Sequence, residues 1–559
     1  MHNLQSSIFN LQFSFQVSGH IVDPLNRNIY DGTLIITDGR ITSILPAERI
    51  SDDAPYILPG FIDSHVHIES SMLLPENFAH IAVRHGTVAA IADPHEIANV
   101  LGIEGINFMI DNGNQVPFHF FFGAPSCVPC TNMESSGAVI DADDIATLMQ
   151  RDDIYFLGEM MNVPGVLLGD KEVLGKLDAA RKVKKPIDGH APGLMDEGLI
   201  QYASECISTD HECSTLADEQ ARLDVGMKVL IREGSAAQNF DSLSPLLAYY
   251  SDELMFCTDD MHPDDLMKGH INLMVCRAIA KGYPLWNVLR AACVTPVLHY
   301  HIPCGLLQLG DPADFILVDN LSDFNILSTC ISGNIFNRYT ELPVSRSWTQ
   351  DNWPNNFHAE PITAEDLRVI FETNTIHAIM AFNGSLFTGQ KDVEAKVVDG
   401  NVVSDIEGDV LKIVVLSRYA PSKPAIGFIK GFGLKRGALA STIAHDSHNI
   451  VAIGTSDEEI AAAINRVIQM KGGIVVEDKG AYDALPLPIA GLLSPLSHED
   501  TAAAYARLTA RAQALGCSFE APFMTLSFMA LPVIPKLKMT DKGLFDTALF
   551  RHVSPFVTK

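Results

Sequence analysis

Short apolar runs, each ending on polar or charged side chains, recur every twenty to forty residues or so through the first half of the chain, with helix-compatible stretches between them. The runs are GFIDSHVH (60–67), GTVAAIADP (86–94), FHFFFG (118–123), IYFLGE (154–159), KPIDGH (185–190), CISTDH (206–211), KVLIREG (228–234) and LMFCTDD (254–260). Eight strands with helical crossovers in about two hundred residues make the pattern of a (β/α)8 barrel, whose functional groups sit at the C-terminal strand ends. The residues expected there are His65 and His67, Asp93, Glu159, His190, His211, Arg232 with Glu233, and Asp259 with Asp260.

The texture differs on both sides of this region. Upstream, HIVDPLNRNIYDGTLIITDGRITSILPAERI reads as β-runs separated by turns at Asp31-Gly32 and Asp38-Gly39. A similar alternation returns in Cys304 to Phe336, so the two pieces are expected to pair into one small β-domain (1–56 with 302–348) flanking a barrel over 57–301. Beyond NWPNNFHAEPITAED, a Pro- and Asn-rich linker, DVLKIVVLSRY, GGIVVED and the helix-like SDEEIAAAINRVIQMK predict a separate α/β domain over 349–559. The fold class is therefore α/β, a barrel with a discontinuous β-domain and a C-terminal α/β domain.

Composition narrows the function. With 39 Lys plus Arg against 68 Asp plus Glu, the net charge of −29 repels polyanions and acidic membrane surfaces, which argues against nucleic acid or membrane as partner. No apolar window has the length of a spanning helix, and the opening MHNLQSSIFNLQFSFQVSGHIVDP lacks the pattern of an export signal, so a cytoplasmic location is expected. The ten cysteines are scattered and read as reduced thiols.

The strand ends supply the chemistry. His65 and His67, two apart on a strand, face the same side. With Glu159, His190, His211 and Asp259 they form a set of imidazoles and carboxylates at one barrel rim, too many for one tetrahedral ion. They suit two divalent metals sharing a carboxylate, and such ligands accept zinc, manganese or iron.

The motifs PGFIDSHVHIES, GEMMN, DGHAPG, STDHE and CTDD resemble the amidohydrolase superfamily and, within it, the bacterial adenine deaminases, a resemblance that runs the length of the chain and includes AHDSHNIVAIG. It implies an HxH pair on the first barrel strand, histidines on the fifth and sixth, an aspartate on the eighth, and manganese or iron as the metal. Glu159 stands where many binuclear superfamily members carry a carboxylated lysine, as in the adenine deaminase branch. The implied activity is hydrolytic deamination of adenine, a small-molecule substrate, by an enzyme that works as a dimer or larger homo-oligomer. Another cyclic amidohydrolase or aminoheterocycle deaminase of the superfamily, and a non-catalytic metal-binding barrel, are the alternatives.

In that reaction Asp259 is expected to move the proton of the attacking hydroxide, with Asp260 next to it at the substrate, and Asp93 or Glu96 in ADPHEIAN to protonate the purine ring. His445 and His448 in AHDSHN are expected to reach the bound purine from a C-terminal domain packed across the barrel mouth. Two motifs point elsewhere. His67-Ile68-Glu69 followed by Cys127 and Cys130 imitates the H-x-E and P-C-x-x-C signature of cytidine-type deaminases, but Ser126 interrupts the second half. GFGLKRG (431–437) imitates a phosphate loop, matches neither glycine-rich fingerprint, and reads as a turn.

Overall fold

Alternating burial along the first strands builds an antiparallel meander from β1 (Ser14–Asp23), β2 (Asn28–Thr37) and β3 (Arg40–Pro46). The computed structural model describes residues 14–337, 339–340, 342 and 353–557; the first part of the opening segment and the expected domain boundary at 348 lie outside them. Asp38-Gly39 does form the turn between β2 and β3. Asp31-Gly32 does not: it lies inside β2, opposite His20 and Gly19. Tertiary partners override the local turn preference there, because the Asp31 carboxylate meets His20 Nδ1 at 2.7 Å and accepts Ile50 N–H at 2.8 Å. A short strand, β4 (Tyr56–Pro59), pairs parallel to β1 and leads into the barrel.

All eight apolar runs are strands: β5 (Phe61–Val66), β6 (Thr87–Ala92), β7 (His119–Ala124), β8 (Ile154–Met160), β9 (Ile187–Gly189), β10 (Thr209–Asp210), β11 (Lys228–Arg232) and β12 (Leu254–Cys257). They pair in parallel, in sequence order. Ser208 N donates to Ile187 O (2.8 Å) across the β9–β10 seam, while Asp259 N donates to His65 O (2.9 Å) and His67 N to Asp259 O (3.1 Å) across the β12–β5 seam. The ring is thereby closed. β5 and β6 are buried along their full length because helices cover the outer face of a parallel barrel, which explains their unbroken apolar runs.

After the barrel, β13 (Phe315–Val318), β14 (Ile326–Ile331) and β15 (Asn334–Phe336) return to complete a seven-stranded sheet in the order β15-β14-β13-β4-β1-β2-β3. Residues 353–363 run without regular structure, and Asn356 pins them to the barrel by donating to Val100 O (3.2 Å).

The C-terminal part carries a mostly antiparallel eight-stranded sheet. Its central strands Val410–Leu416, Ile450–Gly454 and Gly473–Asp478 are almost wholly buried. Helix Asp457–Met470 covers one face with Ile460, Ile464 and Val467, starts at the Ser456 cap, whose hydroxyl accepts Glu459 N–H, and ends at left-handed Lys471. The glycine-rich GFGLKRG turn holds an internal anion: Gly431 N and Gly433 N donate to the Asp409 carboxylate at 3.0 and 2.8 Å. Between strands Ala438–Ser441 and Ile450–Gly454, the AHDSHN loop descends onto the barrel mouth.

Candidate metal centre and its lid

The two β5 histidines differ in how they are held. His67 Nδ1 lies 2.9 Å from the Asp93 carbonyl oxygen, so it carries the proton and Nε2 is left toward the centre, 3.2 Å from Glu159 Oε1 and 3.1 Å from Asp259 Oδ1. His65 is fully buried with neither ring nitrogen hydrogen-bonded, 3.6 Å from Asp259 Oδ1 and stacked on His211 at 4.2 Å between ring centroids.

Glu159, at the end of β8, stands between two groups of imidazoles. Its Oε1 faces His67 and His95 (3.4 Å), and its Oε2 faces His190 (2.7 Å) and His211 (3.3 Å). Its backbone N–H donates to Asp93 Oδ2 (2.9 Å). Gly158 makes this approach possible, since a Cβ there would lie 2.3 Å from Asp93 Oδ2. Asp93 thus holds the β8 end from β6. It does not cap the helix His95–Leu101, whose N-cap is Pro94 without a side-chain bond.

Asp259, just beyond β12, has a left-handed backbone (φ 55°), a conformation aspartate tolerates and the paired bonds with β5 secure. Its Oδ2 accepts from Arg232 Nη1 (2.6 Å), and the same Nη1 reaches Glu212 Oε1 (2.5 Å). Ser70 Oγ donates to Asp260 Oδ1, and Asp260 lines the same cavity.

All six expected ligands therefore converge, and small groups of them place ligand atoms within 4.8 Å of one another. His95, Glu212 and Arg232 join them, with His95 grouped with His67 and Glu159, and Glu212 with His190 and His211. Sequence reasoning passed over His95 although it stands between Asp93 and Glu96 in DPHE, and Glu212 although it follows His211 directly. Both follow a strand rather than end one.

The charge distribution suits cations. Burial opposes ionisation of Glu159, but His190 and His211 hold its carboxyl well below the usual range; burial likewise opposes Asp259, which Arg232 and the neighbouring histidines keep ionised. His65 is driven well below the ordinary histidine value by burial and by His211 and His67, so it is neutral with a lone pair free. Burial would also lower His67, yet its contacts with Asp259 and Glu159 raise it well above 6.5. Unpaired buried imidazole nitrogens, on His65 and at His190 Nε2, against anionic carboxylates form an N/O donor set that fits divalent metals.

The C-terminal loop borders the same cavity. Both oxygens of Glu96 are taken by the C-terminal loop, Oε1 by His445 Nδ1 and Oε2 by His448 Nε2. Ala444 N donates to His448 Nδ1 (3.3 Å), and burial lowers His448 to about 4, so its neutral ring donates from Nε2. His445 is pulled the other way: burial opposes its charge, but Glu96 and Asp260 raise it to about 9. Its ring stacks on Phe528 (4.9 Å, 19°), which with Leu386 and Leu531 roofs the cavity.

The decoys resolve simply. Glu69 Oε1 accepts Ile97 N–H (3.1 Å), and Cys127 and Cys130 are buried thiols in the loop after β7. Among the described residues no helix is long and apolar enough to cross a membrane.

Residues 56–336 match the Amidohydrolase family and residues 385–551 the Adenine deaminase C-terminal domain. Proteins named adenine deaminase from Salinibacter ruber (49% identical, covering 97% of this chain and 99% of that one) and Parabacteroides distasonis (48%, 97% and 98%) align nearly end to end. One from Methanosarcina mazei is 48% identical over 96% of this chain and 99% of its own. These matches over the barrel and the C-terminal domain place the chain in the adenine deaminase branch of the amidohydrolase family.

Proposed function

We propose that the chain hydrolyses adenine to hypoxanthine and ammonia in a centre holding two divalent metals, manganese first among those the ligands accept. The observation that carries this reading is the division of Glu159, whose two carboxylate oxygens face separate histidine groups beside the apolar Leu386, Phe528 and Leu531. That arrangement suits a carboxylate shared by two ions. The chemistry such ions supply is acidification of water toward a pKa of about 7, which provides a hydroxide nucleophile at neutral pH.

The protein's own groups handle the protons. Arg232 engages Asp259 Oδ2, leaving Oδ1 to take the proton released as the nucleophile attacks C6 and to return it to the departing amine. Attack pushes charge onto ring N1, which needs a proton donor. Asp93 is committed to the Glu159 backbone and Glu96 to both lid histidines. We therefore assign the donor role to His445, charged at neutral pH with Nε2 unpartnered, and make Glu96 its positioning residue. Phe528, Leu386 and Leu531 exclude bulk water around the reacting ring.

The test is incubation of the manganese-reconstituted protein with adenine, guanine, hydantoin and dihydroorotate, following ammonia and ultraviolet spectra. Ammonia release with adenine alone supports the reading. Turnover of hydantoin or dihydroorotate without adenine would make the chain a cyclic amidohydrolase instead.

A further inference from the structure

One polar side chain in the cavity has no part in the chemistry just described. Asp446, between the two loop residues bound to Glu96, is 2% exposed, and its Oδ2 has no hydrogen-bond partner. It lines the same cavity as His67, Glu159 and Asp259. Its Oδ1 lies 4.0 Å from His95 Nε2 and 4.0 Å from His445 Nδ1, while His95 Nδ1 on the far side of that ring lies 3.4 Å from Glu159. A single imidazole therefore separates Asp446 from the Glu159 carboxylate, roughly the depth of one planar heterocycle lying alongside. A buried carboxylate oxygen without a donor is costly, and loops keep one where a ligand supplies the missing hydrogen.

We propose that Asp446 is a specificity-determining residue that accepts an N–H from the five-membered ring of the purine. The inference rests on the proposed adenine chemistry. With the six-membered ring turned toward Glu159 and Asp259, the imidazole portion of the substrate points away from the centre, toward the loop. A free purine base carries one N–H on that ring. A 9-substituted purine, including any nucleoside, carries none and adds bulk there. On this assignment Asp446 selects for a free base: the acceptor is satisfied by the base and left unpaired by its 9-substituted analogues. Sites built around such a bond reject ligands lacking it far more strongly than apolar pockets reject shape alone.

The experiment uses the full-length, manganese-loaded protein and measures steady-state kinetics on adenine, with elemental analysis of each variant. Wild-type turnover of adenine is the prior condition; its absence sinks the functional reading, not this assignment in particular. Asp446→Ala is expected to raise KM for adenine by roughly 10–100-fold, with a smaller change in kcat and unchanged metal content. Asp446→Asn, whose amide oxygen still accepts, is expected to recover part of that loss. Without any substitution, unsubstituted purine should inhibit the wild type at least about tenfold more strongly than 9-methylpurine, and Asp446→Ala should narrow that ratio. Unchanged KM in Asp446→Ala, an unchanged inhibitor ratio, or loss of metal from either variant would overturn the assignment, the last by making Asp446 a ligand. If Asp446→Ala does not fold, equal inhibition of the wild type by the two purines overturns it alone.

Discussion

Glu96 of the barrel and His448 of the C-terminal domain, 352 residues apart in sequence, are joined by a hydrogen bond inside the cavity that holds the candidate metal ligands. Because His448 Nδ1 accepts the Ala444 N–H, only Nε2 can donate, and it donates to Glu96 Oε2. His448→Ala should leave bound metal unchanged and lower kcat/KM for adenine by roughly 10–100-fold, since a hydrogen bond to a charged group is lost and His445 is no longer fixed. Wild-type kinetics in that variant would separate the lid from catalysis.

Glu159→Gln removes the negative charge placed between the two histidine groups while keeping the side chain's shape. Bound metal per chain, measured by elemental analysis, is expected to fall, and turnover with it. Full occupancy with near-normal turnover would show that Glu159 is not shared.

Asp259→Asn keeps a partner for Arg232 but cannot shuttle a proton. Turnover should fall by roughly 10²–10⁴-fold. An unaltered rate would move the proton-transfer role elsewhere, with Asp260 the adjacent candidate at the cavity wall.

Glu219 offers a test remote from the site. It is fully buried in helix Leu216–Asp224, neither carboxyl oxygen has a hydrogen-bond partner, and burial raises its pKa from 4.5 to about 8. The folded state therefore holds a proton that the unfolded state gives up, so this group's contribution to stability is fully present below pH 4.5 and is lost as pH rises toward 8. The loss runs at about 1.4 kcal/mol per pH unit across that window. Glu219→Gln should match the wild type at pH 5 and melt at a higher temperature at pH 8, with metal content held equal. A melting difference that does not grow with pH would contradict the shift.

The barrel was legible because its signal is local. Each strand is a short apolar run with a polar end, and β5 to β12 fall on the eight expected segments. The six expected ligands were legible for the same reason: fold geometry carries every strand end to one rim. Asp31-Gly32 shows where local reading fails, since long-range bonds from His20 and Ile50 draw a turn-like dipeptide into a strand. His95 and Glu212 escaped notice because they lie three and two residues past a strand, where the direction of a side chain depends on the loop. Asp93 and Glu96 were recognised as acids of the site, but their partners, the Glu159 backbone and the two lid histidines, come from distant segments that no spacing rule brings together. The same holds for Arg232, expected at the rim as a strand end but with no partner assigned, which joins Glu212 to Asp259.

The most direct measurement is isotopic. Adenine incubated in H2(18)O with the manganese-loaded protein, and separately with the metal-stripped protein, is analysed by mass spectrometry for labelled hypoxanthine and by an ammonia assay. The metal-centred hydrolysis described above predicts one 18O atom in each hypoxanthine, an equal amount of ammonia, and no product from the stripped protein until manganese is restored. Unchanged adenine with the metal-loaded protein, or equal product formation without metal, would contradict it.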